Sequence, residues 1–124
     1  REPFNVNSIA QAAAIAALRD QAHIKKSGAL VRSEKKRFYA LFKKLGIRYI
    51  PSRANFVLVD TGRDSKQMFD FLLKKGVIVR DMTPWGLGGF IRITFGLKKE
   101  NDKFFKAFKE AIKLVPTIEC SEEV

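Results

Sequence analysis

Two arginines in the last third of the chain are the residues best placed to do chemistry. Arg80 closes the run Gly76-Val77-Ile78-Val79-Arg80-Asp81, and Arg92 sits inside Gly88-Gly89-Phe90-Ile91-Arg92-Ile93-Thr94-Phe95-Gly96. Both runs are short, apolar and β-branched, which predicts buried strands. A guanidinium in such a strand cannot lose its charge and is costly to bury without an anion. Each arginine therefore needs an anionic partner. That partner is either a structural carboxylate, with Asp60 and Asp81 the candidates, or a ligand.

Other polar and aromatic residues are less specific. Asn55 precedes a hydrophobic strand, where it either lines a site or caps a turn. Trp85 lies among glycines, as a lid over a ligand or as a packed loop aromatic. His23, the single histidine, falls on a helix among lysines with no partner for metal or nucleophilic chemistry, so it reads as surface or boundary. The single cysteine, Cys120, lies in a polar tail. It can form no internal disulfide and no multi-cysteine metal site, which fits a reducing cytoplasm.

The elements that position these residues follow from periodicity. At 124 residues the chain is read as one domain, with 46% hydrophobic and 30% charged residues typical of a soluble globular protein. No apolar run approaches the roughly 20 residues that span a bilayer. The start, Arg1-Glu2-Pro3-Phe4-Asn5, has no apolar core of a signal peptide and no initiator methionine, so the chain is expected to be a piece of something longer. The net charge of +11 invites nucleic acid, but the lysines fall between apolar helical positions and read as solvated faces.

Asn7 or Ser8 caps a helix from Ala10 to Leu18 that is apolar all round, the signature of a helix buried on every side. Asp20 caps a long helix that runs through Gly28 to Gly46. Strands are predicted at Ile47–Ile50, Asn55–Asp60, Val77–Arg80 and Phe90–Phe95. A helix with Met68, Phe69, Leu72 and Leu73 inward ends at Gly76. A last helix opens at Glu100 or Asn101, with Phe104, Phe105, Phe108 and Ile112 on one face. The order helix, helix, strand, strand, helix, strand, strand, helix predicts an α+β fold: helices packed on one face of a small, mostly antiparallel sheet.

Four segments, in order, resemble histidinol-phosphate aminotransferases. They are Pro3-Phe4-Asn5-Val6-Asn7-Ser8-Ile9-Ala10-Gln11-Ala12-Ala13; Pro51-Ser52-Arg53-Ala54-Asn55-Phe56; Gly76-Val77-Ile78-Val79-Arg80-Asp81; and Ile91-Arg92-Ile93-Thr94 followed by Glu100-Asn101. The match is collinear over roughly residues 3–114. It resembles only the C-terminal part of such an enzyme, a two-layer small domain of fold-type-I architecture. The resemblance implies a linking helix at 1–19 packed on a missing large domain, a small domain at 20–115 and a tail at 116–124. Without that large domain, the apolar first helix is expected to drive self-association through residues 8–19.

The resemblance also implies chemistry. The parent would be a cytoplasmic, homodimeric, pyridoxal-phosphate-dependent transaminase of histidine biosynthesis, acting on L-histidinol phosphate and 2-oxoglutarate. Arg92 would grip the substrate carboxylate, Arg80 would be a second substrate-site arginine, and Asn55 would line the site. A planar fork of donors suits this task because it orients an anion as well as holding it. The Schiff-base lysine has no match in this chain, so the chain alone is expected to be inactive. Three rival readings remain. One is another pyridoxal-phosphate enzyme, an aromatic aminotransferase or threonine-phosphate decarboxylase. Another is a nucleic-acid module, since Gly89–Phe95 faintly echoes an RNA-recognition strand. The third is a purely structural or regulatory fragment.

Overall fold

A computed structural model of the chain describes residues 4–118. Helix α1 (Ser8–Arg19) opens at Asn7, whose Oδ1 accepts the Ala10 N–H at 2.8 Å. Asp20 caps α2 (Gln21–Leu45) by accepting the His23 N–H at 2.9 Å. α2 runs unbroken through Gly28 and stops where Gly46 takes φ 66°, a conformation glycine reaches without steric cost. Then follow β1 (Arg48–Ile50), β2 (Phe56–Asp60), α3 (Ser65–Lys74), β3 (Arg80–Asp81), a 3-10 turn (Thr83–Trp85), β4 (Phe90–Thr94) and α4 (Lys98–Leu114). The strands form one sheet in the order β1-β2-β4-β3, every pair antiparallel. The two-layer α+β architecture expected from the pattern is the one found.

Strand alternation divides the sheet into a core face and an open face. Val57 and Val59 of β2 and Ile91 and Ile93 of β4 turn inward against Phe42, Met68, Leu72 and Phe108. Phe38 of α2 is the hub of the helical layer. Its ring lies 5.1 Å from Phe95, 5.2 Å from Phe104 and 4.7 Å from Phe105, centroid to centroid. Phe95 is thereby buried, whereas an RNA-recognition strand would turn that aromatic outward for base stacking. On the opposite face Ile50 is 52% exposed, and Phe56, Leu58, Asp60, Phe90 and Arg92 are half-buried. The exposed lysines line the outer sides of the helices, among them Lys36, Lys43, Lys66, Lys74, Lys106, Lys109 and Lys113. Among the described residues no helix is long and apolar enough to cross a membrane.

A buried polar cluster fixes the end of β4. Asn101 of α4 donates to Gly96 O and to Glu34 Oε2, both at 2.8 Å, and its Oδ1 accepts the Gly96 N–H at 3.0 Å. Arg37 closes the cluster by bonding to Glu34 at 2.6 Å and to Asp102. Every buried polar group in it is thus paired, as burial requires. Arg63 plays a matching part at the other end of α4. Its Nε donates to Val115 O at 2.9 Å, and a second nitrogen reaches Ile112 O.

Three expectations need correction. The strand predicted at Val77–Arg80 is reduced to Arg80–Asp81, because α3 ends at Gly76 (φ 70°) and the chain meets β4 only at Arg80. Arg80 is exposed and Arg92 half-buried, so neither guanidinium is sealed in a core. Leu73 is 44% exposed, one position round α3 from the buried Leu72. The tail expected from residue 116 is tied to the domain at its described start, since Thr117 bridges to Arg63 and the Ile118 N–H donates to Gly62 O at 2.9 Å. α1 buries none of its residues within the described chain, and Ile9 is 80% exposed. Cys120 lies outside the described residues.

Because Phe38 joins α2, α4 and the end of β4, Phe38→Ala is expected to destabilise the chain by about 3–5 kcal/mol in chemical denaturation. Lys43→Ala, on the exposed side of the same helix, should stay within about 0.5 kcal/mol.

Candidate anion-binding site

The register of β3 on β4 sets Arg80 directly opposite Arg92. Residues paired in this way share a face of the sheet. Ile91 and Ile93 point into the core, so Arg92, and with it Arg80, stands on the open face. Like charges set opposite each other repel, and such a pair costs stability unless something offsets it.

The carboxylates that could have neutralised the pair are engaged elsewhere. Asp60 bonds to Arg48 across β1 and β2. Asp81 Oδ1 accepts from Ser65 Oγ at 2.6 Å, the Thr83 N–H at 2.9 Å and Thr83 Oγ1 at 2.7 Å. Burial pushes the Asp81 carboxyl up. The hydrogen bonds from Ser65 and Thr83, helped by the charge of Lys66, outweigh burial and hold it below its ordinary value. Among the described residues neither Arg80 nor Arg92 is in an ion pair.

Aromatic rings hold the two guanidiniums instead. Arg92 lies 5.2 Å from the Phe56 ring centroid, and Arg80 lies 5.8 Å from that of Trp85. A ring face attracts the flat side of a guanidinium and leaves its N–H edge free to donate. A cleft of about 170 Å³ opens between the two arginines, lined by Ile78, Val79, Arg80, Arg92 and Thr94. It opens where β3 fails to continue alongside β4. The shortened strand and the cleft are one feature.

Asn55 sits in the bend before β2, with its side chain exposed. Its carbonyl accepts the Phe95 N–H at 2.9 Å, which ties it to the chain just beyond Thr94. It is therefore near the Arg92 end of the sheet through its backbone. Trp85 is brought to Arg80, whereas His23 is exposed on α2, away from the pair. The sequence reading missed Phe56 as the support of Arg92 and Ser65 as a ligand of Asp81. Strand alternation could have put Phe56 on the open face. No sequence signal pairs Ser65 with Asp81, which are joined only by folding.

Every lysine is exposed except Lys35, which is half-buried and donates to Ser52 O at 2.7 Å.

The chain belongs to the aminotransferase class I and II family, whose family model matches residues 1–108. Within that family it is similar to the histidinol-phosphate aminotransferase of Moorella thermoacetica, with 46% identity over 90% of this chain and 29% of the relative. The histidinol-phosphate aminotransferase of Clostridium acetobutylicum shares the fold with a TM-score of 0.77 and 33% identity, over 91% of this chain and 35% of that one. The Sinorhizobium meliloti enzyme, solved in complex with pyridoxal-5'-phosphate, gives a TM-score of 0.75 and 32% identity, over 91% of this chain and 32% of that one. The chain therefore spans about a third or less of the length of these relatives.

The Asp81 network makes a prediction about pH. A carboxyl held below its ordinary value stabilises the folded form above its unfolded pKa of about 3.9, and that stability is lost as pH falls through the folded value. The emission of Trp85, the single tryptophan, should hold steady from neutral pH down to about pH 4 and change only below it. A midpoint above about pH 4 would remove Asp81 as the anchor of the turn.

Proposed function

We propose that this chain is the C-terminal, substrate-anion-binding part of a pyridoxal-phosphate-dependent aminotransferase acting on L-histidinol phosphate and 2-oxoglutarate. The observation that carries the reading is the Arg80–Arg92 pair, in register on the open face with its nearby carboxylates engaged elsewhere. The similarity to histidinol-phosphate aminotransferases over 90% of the chain supports the choice of substrate.

The two substrates carry different anions. L-Histidinol phosphate has a phosphate and no carboxylate, whereas glutamate and 2-oxoglutarate have carboxylates. One cationic cleft can take each in turn, because a guanidinium fork matches both groups. Arg92 is the anchor and Arg80 the second donor, with Asn55 at the rim. Holding the anion fixes the rest of the substrate against the reacting centre, and such orientation is a large part of the rate an enzyme supplies. The amine that binds pyridoxal phosphate, and the groups that hold its ring and phosphate, belong in this reading to the remainder of the parent. The cofactor accepts and returns the amino group there. The apolar surface of α1 belongs to the contact with that remainder, within a homodimeric parent.

The test is glutamate formation by the full-length parent from 2-oxoglutarate and L-histidinol phosphate. Arg92→Ala should lower kcat/KM by about 100-fold for both substrates, the scale expected when a charged partner of a held anion is removed. A loss confined to one substrate would refute the shared cleft. Transfer from another amino donor but none from L-histidinol phosphate would keep the reaction and replace the substrate. The 124-residue chain with added pyridoxal phosphate should form no glutamate, and turnover by it would contradict the reading.

A further inference from the structure

We propose that Trp85 is a positioning residue for anion recognition, acting through the Arg80 guanidinium that rests against its ring. The inference rests on the reading that the arginine pair takes the substrate anion, and it adds a residue outside the pair that sets how well the pair does so.

Three observations carry it. First, Arg80 is exposed and stands opposite another cation, so nothing on its own strand holds it toward the cleft. Repulsion from Arg92 favours rotamers that swing it into solvent. The Trp85 ring, 5.8 Å from the Arg80 guanidinium carbon, is the group that opposes this. Second, Arg80 is a wall common to two clefts. One is the cleft shared with Arg92. The other, of about 420 Å³, is lined by Phe69, Ile78, Val79, Asp81, Pro84 and Trp85 together with Arg80. Trp85 and Arg92 thus line different clefts, with Ile78, Val79 and Arg80 common to both, and a ring face can brace a guanidinium while leaving its N–H edge free to donate.

Third, the turn that presents Trp85 is fastened at both ends. At its start Asp81 gathers Ser65 and Thr83, and the Trp85 N–H donates to Met82 O at 3.0 Å. Gly86 then reverses the chain at φ 74°, and its N–H returns to Thr83 O at 2.9 Å. At the far end Ser65 N and Thr61 N donate to Gly88 O and Gly89 O, each at 3.0 Å. A loop tied in this way is a fixed support. Yet Trp85 itself stays 58% exposed and is not part of the core. A large aromatic left that open on a braced turn is explained by what it holds. The reading of Trp85 as a packed loop aromatic does not hold.

The experiment uses the 124-residue chain and inorganic phosphate at low ionic strength, with binding measured by calorimetry and by Trp85 emission. Wild type should bind saturably, with the emission change following the same isotherm. Trp85→Leu should weaken binding by about two- to five-fold, the range for an exposed cation–ring contact, with its thermal midpoint unchanged. Trp85→Phe should recover most of that loss. If Trp85→Leu binds like wild type while Arg92→Gln does not bind, the positioning role is overturned and the arginine pair stands. If Arg92→Gln binds like wild type, or if wild type takes no phosphate, the pair reading falls and the role of Trp85 falls with it.

Discussion

The structure turns on two cations set opposite each other across an antiparallel strand pair. The register that pairs Arg80 with Arg92 is not free to change. Shifting β4 by one residue would turn Ile91 and Ile93 out of the core and Arg92 into it, and the aromatic layer leaves no room for a guanidinium. The core thus fixes the site from behind. Phe38 and its neighbours hold the sheet, the sheet holds the register, and the register sets the two charges face to face.

Ordinary folding would neutralise such a pair. Here each nearby carboxylate has another task. Asp60 joins β1 to β2 through Arg48, and Asp81 anchors the turn after β3 through Ser65 and Thr83. The arginines are left to aromatic rings, which steady a guanidinium without satisfying its donors. An ion pair would have been stronger and would have closed the cleft. The arrangement gives up some stability to leave N–H edges unmet, a pattern expected where a protein must bind an anion that comes and goes. The contrast with Arg37 and Arg63 is instructive. Arg37 is matched to Glu34 and Asp102, and Arg63 to backbone carbonyls, so both are structural.

The sequence made the element order and the core legible, because strict alternation in Phe90–Thr94 and helical spacing of Phe104, Phe108 and Ala111 leave few alternatives. Arg92 was legible for the same reason, as a charge in the middle of an apolar strand. Arg80 was read as the end of a buried strand, and that failed. The exit from α3 at Gly76 depends on tertiary packing, and Lys103 of α4 fills part of the gap by bonding to Gly76 O at 2.9 Å. The bond of Ser65 to Asp81 and that of Asn101 to Glu34 could not be read, because the partners lie far off in sequence, whereas alternation alone could have set Phe56 on the open face. The openness of α1 was legible only as an excess of alanine without a polar face.

Membership of the aminotransferase class I and II family gives the fold a context, but the central physical claim concerns the pair itself. The most direct test follows the arginine Nε–Hε resonances of the 15N-labelled chain during titration with phosphate. The account predicts that Arg80 and Arg92 shift together and saturate, while Arg37 and Arg48, already ion-paired, hardly move. Small, unsaturating shifts spread evenly over all the arginines would show only a basic surface attracting an anion, and would contradict a built site.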